Sequence, residues 1–172
     1  QIASAKAKVV IGHYCSGSSI PASAVYAEEG VVQLSPASTN PTYTDNRPAA
    51  GTTFRICGRD DQQGGIAGKY LLEKQAGKKV AIVNDKSSYG KGLADETQKT
   101  YEAGGQKPVL VESITAGEKD YSALVSQIKQ SGAEIVYFGG YYQQAGLIVR
   151  QMREQGVSAT LMGGDALQSS EF

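Results

Sequence analysis

Residues 80–105 read VAIVNDKSSYGKGLADETQKTYEAGG, and this stretch decides the fold class. Val80–Asn84 is a short apolar run of strand length, bounded at once by polar residues, as a buried strand would be. Its exit, Asp85-Lys86-Ser87-Ser88-Tyr89, leads toward a helix over Gly92–Ala103, which the pair Gly104-Gly105 stops. A strand followed directly by a helix is half of a parallel crossover. The next strand, Val109–Val111, completes the unit.

The same alternation continues on both sides. Downstream, Asp120 is placed to cap a helix whose Leu124, Val125 and Ile128 form one face. Strand Ile135–Gly139 follows, then a helix with Ala145, Ile148, Val149 and Met152 at i, i+3, i+4, i+7, closed by Gly156. Leu161–Gly163 is a last short strand. Upstream, Asp60 or Asp61 begins a helix to about Gln75, with Ile66, Tyr70 and Leu71 at helical spacing and Gly77 beyond its end. Phe54–Cys57 alternates as a half-exposed strand would, and Asn40–Thr53 reads as a long loop. Before it come strand Val9–Gly12, a helix with Pro21 in its first turn running to Glu29, and strand Val31–Leu34. Ile2–Lys8 reads as the tail of a helix.

No hairpin signal interrupts this order, so the chain is read as α/β with parallel sheets and right-handed crossovers. The part after Gly58 has enough strands and helices for a small doubly wound lobe. The part before it has too few to close a core.

Bulk properties exclude several function classes. Lys and Arg number 17 against 17 Asp and Glu, with no basic stripe to suggest nucleic acid. The longest apolar runs are four or five residues, against roughly 20 for a membrane span. The chain starts at Gln1 without a signal peptide, as expected of a mature or partial product. Cys15 and Cys57 are compatible with one bridge or with two free thiols.

Polar and aromatic residues collect immediately after the strands, where open parallel sheets bind ligands. Cys15-Ser16-Gly17-Ser18-Ser19 precedes a helix and suits an anion, or simply supplies an N-cap at Ser18 or Ser19. Ser35-Pro36-Ala37-Ser38-Thr39 adds hydroxyls in what is also an ordinary turn. Tyr89 and Tyr141 can wall a pocket, and Asp165 can face an ammonium group. His13 and Cys15 suggest a metal or a thiol nucleophile, but no second histidine and no zinc or triad spacing accompanies them. No catalytic residue, metal site or cofactor is expected.

Seven stretches, VIGHYCSGSSIPAS, LSPASTNP, FRICGRDDQQG, AIVNDKSSYGKGLADE, ITAGEKDYSALVSQIK, YFGGYYQQAGLIVRQM and LMGGDA, together resemble the branched-chain amino acid (Leu/Ile/Val) binding proteins, the periplasmic receptors of ABC importers. They stand in family order across nearly the whole chain. The resemblance implies a type I periplasmic binding protein fold, with doubly wound parallel sheets in two lobes joined by crossings and the ligand held in the cleft. Residues 1–57 would then be a partial first lobe ending at the first crossing, and residues 58–172 most of the second. The family's opening and closing segments have no counterpart, so the resemblance implies an internal fragment whose first lobe is incomplete.

Carried over by position, the ligand contacts would be Ser16, Ala37, Ser38 and Thr39 in the first lobe and Tyr89, Tyr141 and Asp165 in the second. Ser16 and Thr39 would hold an α-carboxylate. A carbonyl near Ala37 and the Asp165 carboxylate would accept from the α-ammonium, with the tyrosines closing over the ligand. Asp165 stands where the family often has the longer glutamate, and Ser38 where it tolerates alanine. Cys15 matches a family cysteine whose partner lies in a segment without counterpart here. The expected function is periplasmic capture of an aliphatic amino acid for an ABC permease in the membrane. The alternatives are a same-fold receptor for an amide or small polar solute, or a thiol-dependent enzyme.

Overall fold

Every strand pairs in parallel in the computed structural model, which describes residues 5–45 and 51–171. Parallel neighbours need long crossovers, and the helices supply them. The chain divides into two compact units, Gln1–Asp61 and Gln62–Phe172.

The first unit contains β1 (Val9–Ile11), α1 (Ser16–Glu28), β2 (Val32–Ser35), the single turn α2 (Thr42–Asp45) and β3 (Thr53–Arg55). Its sheet runs β1-β2-β3, with Val10 opposite Gln33 and Leu34 opposite Phe54. Val10, Tyr26 and Val31 form its apolar cluster. Val9 and Ile11, on the other face of β1, are 54% and 71% exposed, so this sheet is covered on one side there.

Four expectations change here. The helix behind β1 starts at Ser16, so Pro21 lies inside it rather than in its first turn. Its buried residues are Ser16, Ser19, Ser23 and Tyr26, a stripe at helical spacing made mostly of serine. An apolar period could not announce it. Ser18 and Ser19 are not caps, because the N-cap position is Cys15 and no side chain caps this turn. The Asn40–Thr53 loop contains α2, while its residues 46–50 lie outside the described residues. Of the helix tail expected over Ile2–Lys8, residues 2–4 lie outside them too, and residues 5–8 form no α-helix.

The second unit contains most of α3 (Asp60–Lys74), then β4 (Val80–Asn84), α4 (Ser88–Ala103), β5 (Leu110–Ser113), α5 (Ser122–Ser131), β6 (Ile135–Gly139), α6 (Tyr142–Glu154) and β7 (Thr160–Gly163). A 3-10 turn, Asp165–Leu167, follows β7. The strand order is β5-β4-β6-β7, so the winding reverses between β4 and β6.

Alternation along the central strands builds two cores. Val80, Ile82, Ile135 and Tyr137 pack with Leu71 of α3 and Leu93 and Tyr101 of α4. Ala81, Val83, Val136 and Phe138 pack with Leu124 and Ile128 of α5 and Ile148 and Met152 of α6. Burial on both faces is why β4 and β6 are continuous apolar runs and match their expected bounds.

The rotation of α3 differs from expectation. Ala67 and Leu71 are buried, whereas Ile66 and Tyr70 are 70% and 45% exposed. Gly64 and Gly68 set the rotation, because a Cβ at either would lie 2.7 or 2.6 Å from Glu96 or Thr100 of α4. With those glycines against α4, Ile66 falls about 200° around the helix and faces away. The helix expected from Gly92 starts at Ser88, and Ser87 caps it by accepting from Gly90 N at 2.8 Å. Asp120 serves α5 from one residue ahead of the N-cap position, Tyr121, by accepting from Ser122 N at 2.8 Å. No helix among the described residues is long and apolar enough to cross a membrane.

Candidate functional site

In the first unit the chemistry gathers where β1 and β2 end. Parallel pairing puts both carboxyl ends on one edge, and hydroxyls tie the two exits together. Ser35 Oγ donates to His13 O at 2.7 Å and accepts from Ser38 N at 2.9 Å and Ala37 N at 3.3 Å. Ser38 Oγ lies 2.7 Å from Ser19 Oγ and 3.2 Å from both His13 O and Tyr14 O. Ser19 Oγ also accepts from His13 N at 3.1 Å. Ser16 Oγ accepts from Asn40 N at 3.2 Å, which joins the start of α1 to the end of the β2 exit.

Four expected residues are thus placed. Ser16 opens α1 and touches the β2 exit. Ala37 is half-buried, with its N–H turned to Ser35. The Ser38 side chain is fully buried and points into the serine network, so its hydroxyl braces the two exits. Thr39 is buried, and its Oγ1 has no hydrogen-bond partner among the described residues. Its carbonyl accepts from Asp60 N at 3.0 Å.

Arg55 of β3 is a residue that sequence reasoning missed. Its guanidinium donates to Ser38 O at 2.8 Å, Thr44 Oγ1 at 2.6 Å and Pro41 O at 3.4 Å, and lies 5.5 Å over the Tyr43 ring. It fixes the loop that carries Thr39. Burial lowers the pKa of Arg55 and pushes the Tyr43 phenol up to about 12. Arg59 binds both oxygens of Asp45 at 2.7 Å and also bonds Asp61, which holds Asp45 below its ordinary value.

His13 turns its ring to Tyr26, with Nε2 3.1 Å from the phenol oxygen. Cys15 and Cys57 are not joined by a disulfide. Among the described residues no group of three or more His, Cys, Asp or Glu is arranged to hold a metal.

In the second unit the three expected residues come together. Tyr89 lies in the first turn of α4 after β4, Tyr141 follows β6, and Asp165 follows β7. The Tyr89 hydroxyl donates to Asp165 Oδ1 at 2.8 Å and accepts from Ala166 N at 3.3 Å. The Tyr89 and Tyr141 rings meet at 5.2 Å, tilted by 43°. These residues sit at the switch point of the sheet, where a crevice forms in doubly wound folds. Gly90 and Gly139 allow the close approach of α4 to β6, since a Cβ on Gly90 would collide with Asp85 and Gly139 O.

Asp165 is exposed, yet well held. Gln63, in the first turns of α3, donates from Nε2 to Asp165 Oδ1 at 3.0 Å and accepts from Asp165 N through Oε1 at 2.9 Å. Gln63 was also missed, because nothing in its local sequence marks it.

Residues 2–170 match the family model "Periplasmic binding protein". An "Amino acid binding protein" of Pseudomonas aeruginosa is 52% identical over 167 residues, which cover 97% of this chain and 44% of that protein. A "Leu/Ile/Val-binding protein homolog 1" of Brucella melitensis is 50% identical over 96% of this chain and 44% of its own length. Among solved structures, the branched-chain amino acid transporter substrate binding protein LivJ of Streptococcus pneumoniae, in complex with isoleucine, aligns with a TM-score of 0.84. It is 31% identical, over 96% of this chain and 46% of that one. The chain therefore spans less than half the length of the proteins that it matches.

Proposed function

The chain belongs to the periplasmic binding protein family, and from that premise we propose that the complete protein captures a branched-chain or other aliphatic amino acid outside the cytoplasm and delivers it to an ABC importer. A solute-binding role follows from the family; the ligand class rests on the relatives of Brucella and Streptococcus, which are named for Leu/Ile/Val and branched-chain amino acids. Assignment as a binder rather than an enzyme rests on the same membership.

The observation that supports the ligand class best is the cluster of Asp165, Tyr89 and Tyr141 at the carboxyl ends of β7, β4 and β6. It offers one carboxylate beside two aromatic walls, which suits an ammonium attached to an aliphatic body. Ser16, Ala37 and Thr39 would take the α-carboxylate and the remaining ammonium proton. Ser38 would act by bracing the exit that carries them. Capture between two lobes, a periplasmic location and an ABC permease partner belong to this proposal.

Calorimetry of the complete protein against leucine, isoleucine, valine and a set of small amides tests it. Saturable binding of the aliphatic amino acids is expected. Binding of an amide with indifference to every amino acid would overturn it in favour of the amide receptor.

A further inference from the structure

We propose that Gln63 is a positioning residue that fixes how Asp165 presents its charge, restricting that position to a compact ammonium. This rests on the reading of Asp165 as the ammonium acceptor. Asp165 Oδ1 receives two donors from two different helices, Gln63 Nε2 of α3 at 3.0 Å and the Tyr89 hydroxyl of α4 at 2.8 Å. A third bond, from Asp165 N to Gln63 Oε1 at 2.9 Å, locks the backbone to the same amide. One carboxylate oxygen is thereby filled, since a carboxylate oxygen accepts about two hydrogen bonds. Oδ2 accepts none among the described residues.

Two consequences follow. A guanidinium recognises a carboxylate by a fork that needs both oxygens, whereas an ammonium is a point charge that one oxygen can meet. An arrangement with Oδ1 occupied and Oδ2 open therefore selects the ammonium. Gln63 is also neutral, so it orients the carboxylate without cancelling the charge. A lysine or arginine there would compete with the ligand for Asp165. Gly164 makes the arrangement possible, because a Cβ at that position would collide with Gln63 Oε1 and Leu93.

The test is calorimetry of the complete protein with two probes, leucine and its analogue carrying an α-guanidino group in place of the amine. Gln63→Met should weaken leucine about tenfold, which corresponds to about 1.4 kcal/mol. It should also shrink the preference for leucine over the guanidino analogue by a similar factor. Gln63→Glu, nearly isosteric, keeps the acceptor for Asp165 N but faces Oδ1 with like charge, and should weaken leucine about a hundredfold, as for a lost charged hydrogen bond. Unchanged leucine affinity in both variants, or a fall in affinity with no change in the preference, overturns the role of Gln63. Asp165→Ala separates this from the underlying reading. If Asp165→Ala leaves leucine binding intact, the ammonium assignment itself fails; if it abolishes binding while Gln63→Met does not weaken it, only the role of Gln63 fails.

Discussion

Replacing Tyr89 with phenylalanine removes one oxygen from the cluster and leaves its shape in place. The ring is 3% exposed and packs at 5.2 Å against Tyr141, and Tyr89→Phe keeps both features. Two hydrogen bonds disappear. The bond to Asp165 Oδ1 is charge-assisted and worth roughly 1.5–3 kcal/mol in a shielded setting. Asp165 is exposed, so water replaces much of it and about 1 kcal/mol remains. The other loss is at Ala166 N, which is buried and bonds the phenol at 3.3 Å. An orphaned buried donor costs roughly 1–3 kcal/mol, and the length of this bond puts it at the low end. The sum is about 2 kcal/mol for opening of the segment after β7. Native-state hydrogen exchange measures this directly, and the Ala166 amide should exchange about 30-fold faster at 1.36 kcal/mol per decade. Under the proposed function, leucine binding by the complete protein should weaken by roughly fivefold, since Asp165 loses one of two anchors on Oδ1. Unaltered exchange at Ala166 would refute the hydrogen-bond accounting and the placement of the Tyr89 hydroxyl with it.

Two further perturbations probe the first unit. Ser35→Ala removes the donor to His13 O and leaves the buried Ser38 N–H without its acceptor, so it should cost about 2–3 kcal/mol, read as a lower urea midpoint; a change under about 0.5 kcal/mol would contradict the bracing role. Tyr43 titrates at about 12 when folded against 10 when unfolded, chiefly because burial disfavours the phenolate while Arg55 pulls the other way. The folded pKa is the higher one, so this contribution is intact below pH 10 and is lost as pH rises from 10 through about 12, at most about 3 kcal/mol. Thermal melts from pH 8 to 11.5 should steepen above pH 10 in the natural chain, and Tyr43→Phe should flatten that slope.

What the sequence revealed divides along physical lines. Val80–Asn84 and Ile135–Gly139 are buried on both faces, so each is an unbroken apolar run whose ends mark the strand ends. The start of α1 was hidden because its inner face is Ser16, Ser19 and Ser23, whose burial is made tolerable by hydrogen bonds to His13, Ile20 and Asn40. The first turn of α4 was hidden because Gly90 and Gly92 resemble breakers, although Gly90 is there to let the helix touch β6. Ile66 and Tyr70 have helical spacing but the wrong azimuth, and only the Gly64–Gly68 contact with α4 decides that. Position after strands singled out Tyr89, Tyr141 and Asp165 only as candidates, and the family resemblance joined them into one expected site. Their meeting, and the part of Gln63 in it, depends on the strand order β5-β4-β6-β7, which no local pattern carries.

Under the proposed function, the two groups of residues would serve the two ends of a zwitterion. In the second unit a formal charge is offered, the Asp165 carboxylate, held by neutral donors. In the first unit the cations nearest the strand exits are already engaged: Arg55 with Ser38 O and Thr44, Arg59 with Asp45 and Asp61. What remains there is neutral, the hydroxyls of Ser16 and Thr39 and the uncapped first turn of α1. A helix start carries about half a positive charge in its N–H groups, enough to favour a carboxylate without the several kcal/mol needed to desolvate a buried cation. Under the proposed function, a fatty acid would satisfy only the neutral group and an amine only Asp165. On that reading, discrimination for amino acids would come from requiring both.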